Sequence, residues 1–143
     1  MALGARLWNH VIPSALGEVW TEVGFVLASE PDTVRAPDAS FIQATRVPIP
    51  RPTGYIPVIP DLVVEVVSPN DLAYEVNEKR NEWLEAGAQL VWVIDPEEQT
   101  IHDYRLDGTV TLFRRADTLT AEAVLPEFRV PVADLFRLPT AAA

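Results

Sequence analysis

The pattern of hydrophobic and polar positions is clearest in the middle of the chain. Residues 61–68 (DLVVEVVS) and 89–95 (QLVWVID) are nearly continuous apolar runs, which are typical of strands buried on both faces. Residues 72–86 between them carry apolar side chains at helical spacing. A strand–helix–strand order of this kind predicts a crossover connection, so we expect the two strands to be parallel neighbours.

Shorter strands are predicted on the N-terminal side of this unit. Residues 17–28 alternate well enough for a strand or one arm of a bent hairpin, and residues 36–42 form a second strand candidate. The stretch 29–35 between them is typical of a turn. Residues 46–60 contain five prolines and are predicted to form a loop over the surface.

A meander of antiparallel strands is predicted on the C-terminal side. Residues 100–105 and 109–114 are separated by the turn sequence LDG, and residues 119–124 are expected to pair beyond them. Residues 130–136 indicate a short terminal strand or a helical turn. The first 15 residues have helical composition that is interrupted by Pro13. The whole pattern predicts an α/β fold, a mixed sheet with helices on its faces.

The predicted central helix carries a lysine within its apolar face. Asn70 or Asp71 is the expected N-cap, and Gly87 is the expected C-cap. A helical wheel places four apolar side chains on one face: Leu72, Val76, Trp83 and Ala86. Lys79 falls on the same face, and it is the only lysine in a chain with ten arginines.

Composition and charge exclude several classes of function. The chain has 143 residues and no cysteine, which rules out disulfides, thiolate zinc sites and cysteine nucleophiles. No apolar run approaches about 18 residues, so we expect no membrane span and a cytoplasmic location. The net charge is −10, and 11 of the 21 acidic residues lie between Asp61 and Asp103. A well-solvated acidic surface explains this clustering, and such a surface repels nucleic acid unless divalent cations intervene.

Glu65 lies inside the strongest predicted strand, where an unpaired charge costs several kcal/mol. It must lie at an exposed end, pair with a cation, or belong to a site. In each of the last two cases Lys79 is expected near Glu65. Lys79 has two possible roles. It either extends along the helix and neutralises a buried carboxylate, or it is a catalytic residue, since the pKa of a lysine shifts readily on burial.

Two other acidic residues are candidates to act with Glu65. Asp38, in the preceding predicted strand, is expected about 5 Å away on a neighbouring strand, which suits a hard cation such as Mg²⁺ or Mn²⁺. Asp61 is about 13 Å from Glu65 along its own strand at about 3.3 Å per residue. Asp61 is therefore either a turn residue that supports the site from outside or an alternative metal-binding acid.

Four stretches together resemble the Uma2 family (DUF820): RAPDASFI, IPDLVVEVVSPND, NEKRNEWLEAGAQLVWVIDPEEQTIHDYRLDG and LPEFRVPVADLF. The resemblance covers about residues 17–136 and implies a PD-(D/E)XK, restriction-endonuclease-like fold. It further implies that Asp38 and Glu65 bind a divalent metal. Val67 stands where the motif expects lysine, and Lys79 on the helix matches the migrated lysine. The resemblance implies that the chain is one such domain, 1–143, without the family's N-terminal segment.

These observations lead to two hypotheses. The first is a Mg²⁺- or Mn²⁺-dependent DNA endonuclease in which Asp38, Glu65 and Lys79 are catalytic, with Arg46 and Arg51 as phosphate contacts or merely solvated surface residues. The second is a non-catalytic interaction module that keeps the nuclease fold and a buried Glu65–Lys79 ion pair. Apolar surface left exposed without the N-terminal segment favours a homodimer.

Overall fold

The computed structural model describes residues 2–28 and 33–136. In chain order its elements are α1 (Ala2–Val11), β1 (Gly17–Trp20), β2 (Phe25–Ala28), β3 (Thr33–Arg35), β4 (Ala39–Gln43), a 3-10 turn (Ala44–Arg46), β5 (Leu62–Val66), α2 (Ala73–Ala86), β6 (Leu90–Asp95), β7 (Thr100–Arg105), β8 (Val110–Phe113), β9 (Thr118–Ala121), β10 (Leu125–Pro131) and α3 (Val132–Leu135). None of these helices is long and apolar enough to cross a membrane.

A six-stranded mixed sheet in the order β1-β4-β5-β6-β7-β8 organises the fold. The central strands β5 and β6 are parallel, and α2 is the crossover between them, as predicted. The other four neighbouring pairs of the described sheet are antiparallel. The α/β prediction is therefore confirmed, and so is the meander formed by β6, β7 and β8.

Hydrophobic layers cover both faces of this sheet. Successive side chains of β5 point to opposite faces, so Val64 packs with α1 and β10 while Val63 packs with α2 and β2. The buried tryptophans divide in the same way, Trp92 to the α1 face and Trp83 to the α2 face. This burial on both sides explains why the sequences of β5 and β6 are nearly continuous apolar runs.

Strand pairing differs from the prediction in two places. Residues 17–28 form two strands in different sheets: β1 pairs with β4, and β2 pairs with β3. The predicted turn 29–35 was wrong for Thr33–Arg35, which is β3, while residues 29–32 lie outside the described part. The expectation that 119–124 extends the meander was also wrong, because β9 pairs with β10 in a separate two-stranded sheet.

The two ends of α2 test the predicted caps. Gly87 is the C-cap in a left-handed conformation, with φ 112°, and its N–H donates to the carbonyl of Leu84. The predicted N-cap was wrong. Leu72 occupies that position, and the Asp71 carboxylate instead accepts a hydrogen bond from the Ser68 N–H at 2.9 Å. Leu72 is also exposed, although the wheel placed it on the apolar face.

Asp103 is a fully buried acid in β7, on the face that also holds Trp92. Its Oδ1 lies 3.6 Å from Arg105 Nε. Burial raises the pKa of Asp103, and attraction to Arg105 offsets only part of that effect. The folded protein therefore holds this proton more tightly than the unfolded chain. The stability contributed by this tighter proton binding at Asp103 is fully present below the unfolded pKa of about 3.9. It is lost as the pH rises through the raised pKa of the folded state.

Asp103→Asn is accordingly expected to stabilise the protein at pH 7 by roughly 1 kcal/mol, because burying an incompletely paired carboxylate charge costs more than burying a neutral amide of the same shape. The gain should shrink towards pH 4, and urea unfolding across this range measures it. Asp107→Asn is the matched control with the opposite sign, since hydrogen bonds from Thr109 lower the pKa of the exposed Asp107. A gain for Asp103→Asn that does not change with pH would contradict this explanation.

Candidate active site

Asp38 and Glu65 meet where β4 begins and β5 ends. The antiparallel register pairs Ala39 with Val64, so the next step along both chains places Asp38 opposite Glu65. Asp38 Oδ2 accepts a hydrogen bond of 2.7 Å from the backbone N–H of Val66. This bond ties Asp38 to β5 beside Glu65.

Glu65 projects from β5 towards α2, as strand alternation requires. Its Oε1 accepts a hydrogen bond of 3.1 Å from Trp83 Nε1, and the Trp83 side chain is fully buried. The carboxylate is therefore held from the helix side by an indole donor. A neutral donor orients the carboxylate without cancelling its charge.

Lys79 lines the same cavity as the two acids. This cavity has a volume of about 200 Å³ and is lined by Ala36, Asp38, Glu65, Val66, Val67, Ser68, Asp71, Val76 and Lys79. Lys79 and Glu65 line this one cavity, and the lysine charge lowers the pKa of the Glu65 carboxyl. However, the ion pairs of the described residues include no Glu65–Lys79 contact within 4.0 Å.

The electrostatics of the cavity favour an added positive charge. The pKa of Glu65 is raised to about 7, mainly by burial and to a smaller extent by the nearby charge of Asp38. The Trp83 hydrogen bond and the charges of Lys79 and Arg35 lower this pKa but do not offset the burial. Two carboxylates that share a site ionise together more easily when a cation binds between them.

The donor set fits a hard divalent ion. Mg²⁺ is commonly held by one or two carboxylates and completes its octahedron with water and phosphate oxygens. Asp38 and Glu65 supply two such carboxylates on one cavity wall. Within residues 2–28 and 33–136, no cluster of three or more histidine or acidic side chains is arranged to hold a metal.

Comparison with known proteins identifies the family. A family model described as "Uma2: Putative restriction endonuclease" matches residues 2–133. The chain belongs to the Uma2 family. A crystal structure described as "a putative nuclease belonging to DUF820 from Anabaena variabilis ATCC 29413" superposes with a TM-score of 0.84 at 23% identity, covering 94% of this chain and 76% of that one. This likeness confirms the nuclease-like fold. A search of curated proteins gave no match.

Asp61 lies at the opposite end of β5 from the cavity of Asp38, Glu65 and Lys79. It is fully buried, and its carboxylate accepts hydrogen bonds from Arg46 Nη1 at 2.6 Å, the Gln43 N–H at 2.8 Å and Gln89 Nε2 at 3.1 Å. These bonds join the end of β4 to the segments that enter β5 and β6. The structure thus does not bring Asp61 together with Asp38 and Glu65, and its visible role is to connect strands.

The two arginines predicted to contact phosphate are both engaged elsewhere. Arg46 donates to Asp61 and to the carbonyl of Ile59 at 2.9 Å. Arg51 forms an ion pair with Glu18 at 2.6 Å, and its guanidinium lies 5.0 Å from the centre of the Trp20 ring. Neither arginine lines the cavity of Asp38 and Glu65. Their contact with nucleic acid stays a prediction.

Sequence reasoning missed two residues beside the cavity. Trp83 was assigned to packing alone, although its position four residues after Lys79 places both on one helix face. Arg35 was assigned to a turn. In the fold Arg35 reaches Glu82 on α2 through two hydrogen bonds, Nε to Oε2 at 2.7 Å and Nη2 to Oε1 at 2.9 Å. No local sequence signal pairs residues that are 47 positions apart.

Proposed function

We propose that this Uma2 protein is a Mg²⁺- or Mn²⁺-dependent endonuclease that hydrolyses DNA phosphodiester bonds. The observation that carries the proposal is the shared cavity of Asp38, Glu65 and Lys79, contributed by the start of β4, by β5 and by α2. Two carboxylates and one lysine ammonium group provide the charges that phosphodiester hydrolysis requires. Membership of a family described as "Putative restriction endonuclease" supports the same reaction.

Asp38, Glu65 and a main-chain carbonyl near Val66 would hold the metal. The chemistry supplied by such an ion is acidification of a bound water and neutralisation of charge on the phosphate. Asp38 is positioned for this task by the Val66 N–H, and Glu65 by the Trp83 indole. Both carboxylates are thus oriented before any ligand arrives, which reduces the free-energy cost of assembling the site.

Lys79 would act on the substrate rather than on the acids. Its ammonium group shares the cavity but forms no close ion pair with Glu65 among the described residues, so it is not neutralised by that carboxylate. A cation at this position can orient the attacking hydroxide or stabilise negative charge on the phosphate in the transition state.

The non-catalytic module has less support. That hypothesis required a buried ion pair between Lys79 and Glu65. The ion pairs of the described residues do not include this pair. A homodimer remains compatible with either function. Val110 and Leu112 on β8 are exposed at one edge of the six-stranded sheet, and an exposed edge strand readily pairs with another chain. Light scattering after size-exclusion chromatography would measure the oligomeric state.

Metal removal tests the proposed function directly. The wild-type protein is expected to nick supercoiled plasmid in Mn²⁺ or Mg²⁺ and to lose both nicking and DNA binding in EDTA. The physical reason is the net charge of −10, which repels DNA when no cation loads the acidic site. Gel analysis of the plasmid and fluorescence anisotropy with labelled DNA measure the two effects. Nicking that persists unchanged in EDTA would overturn the metal-dependent mechanism.

A further inference from the structure

We propose that Arg35, held on α2 by Glu82, binds a backbone phosphate of the nucleic acid beside the Asp38–Glu65 site. The inference rests on the proposed nuclease function and adds to it the side chain that positions the substrate strand. Planar guanidinium groups are well shaped for two-point contact with phosphate.

The first support is position. Arg35 ends β3, and the residue after it, Ala36, lines the cavity of Asp38, Glu65 and Lys79. The hairpin of β2 and β3 packs on α2, since Phe25 of β2 contacts Trp83 edge to face at 6.0 Å between ring centres. Arg35 therefore lies next to a residue that lines the cavity, on a segment anchored to the helix that carries Lys79.

The second support is charge. Arg35 is tied to Glu82 on α2 and directly precedes Ala36, which lines the cavity. In keeping with this position, the positive charges of Lys79 and Arg35 both lower the pKa of Glu65. Arg46 pairs with Asp61 at the opposite end of β5, and Arg51 pairs with Glu18 of β1, whereas Arg35 adjoins Ala36, which lines the cavity. A substrate phosphate that enters the cavity would thus approach Lys79 and Arg35 together.

The third support is hydrogen-bonding capacity. An arginine has five N–H donors, and Glu82 accepts from one on Nε and one on Nη2. Among the described residues, the hydrogen bonds of Arg35 leave three of its donors for a ligand. The side chain is 36% exposed, so solvent and substrate can reach it. Glu82 therefore fixes the guanidinium plane without consuming its capacity to bind phosphate.

A purely structural tie is the competing explanation, in which Arg35 and Glu82 only fasten the β2–β3 hairpin to α2. The two explanations differ in their dependence on salt. A residue that neutralises a phosphate releases a counterion, so its removal lowers the slope of log affinity against log salt concentration by about 0.9. Loss of a structural tie weakens folding without changing the number of phosphates contacted.

The test compares Arg35→Ala, Arg35→Lys and Glu82→Gln in the full chain, with DNA binding measured at fixed Mg²⁺ and several NaCl concentrations. Each variant also carries Lys79→Ala to suppress cleavage. Arg35→Ala is expected to weaken binding about tenfold and to lower the salt slope by about 0.9. Arg35→Lys should keep the slope and lose part of the affinity. Glu82→Gln, which removes the tie but keeps the Arg35 charge, should also keep the slope.

Arg6→Ala is the matched control, because Arg6 pairs with Asp134 at 3.5 Å on the α1 side of the sheet. It should leave DNA binding unchanged. Equal effects of Arg35→Ala and Glu82→Gln, with the salt slope of the Lys79→Ala parent kept in both, would overturn the inference and assign the pair to folding. Absence of metal-dependent DNA binding and cleavage in the wild type would instead overturn the proposed function itself, so the two failures are distinguishable.

Discussion

Lys79→Ala is expected to slow plasmid nicking by about 10²- to 10³-fold, the usual loss when one group that stabilises transition-state charge is removed. The protein should remain folded, because Lys79 is only half-buried and forms no close ion pair among the described residues. Binding of Mn²⁺ should be kept or strengthened, since a positive charge beside Asp38 and Glu65 is lost. Nicking rates at saturating Mn²⁺ and calorimetric titration with Mn²⁺ measure the two effects.

Arg80→Ala is the control for this experiment. Arg80 follows Lys79 on α2, but its guanidinium lies 4.2 Å from the centre of the Tyr104 ring on the other flank of the helix. It should nick plasmid at close to the wild-type rate. Equal nicking by the wild type and Lys79→Ala would contradict the assignment of Lys79 and would point to another site or a contaminating nuclease.

Trp83→Ala is expected to destabilise the protein by about 3–5 kcal/mol, the usual cost of replacing a buried aromatic side chain with alanine. Trp83 is completely buried between α2, β2 and the central sheet, and it packs edge to face on Phe25. Its removal leaves a cavity and also deprives Glu65 of its indole donor. Chemical denaturation monitored by circular dichroism measures the loss.

Trp83→Phe separates packing from hydrogen bonding. Phenylalanine keeps most of the apolar volume, so the stability loss should be smaller, but Glu65 loses the donor that orients it. The affinity for Mn²⁺ should therefore fall. Trp92→Phe is the matched control, because Trp92 is equally buried but packs on the α1 face of the sheet. If both variants bind Mn²⁺ as the wild type does, Trp83 has only a packing role.

The candidate site illustrates which features local patterns can predict. Glu65 was conspicuous because a carboxylate interrupts an apolar strand, and Lys79 because a cation interrupts the apolar face of a helix. Strand alternation and helical spacing then orient both side chains towards the same layer. Asp38 followed from the strand expected next to β5. The structure places these three residues around one cavity, while their chemical roles remain proposals.

The sequence by itself determined the central unit of this protein: β5, α2, β6, the parallel pairing and the glycine that ends α2. Each depends on periodicity or on a single residue's backbone preference, which act over a few positions. Only the tertiary structure decided that β9 pairs with β10, that Asp61 binds Arg46 and that Arg35 reaches Glu82. These contacts join distant segments, and their partners are selected by the packing of the whole sheet and its two layers.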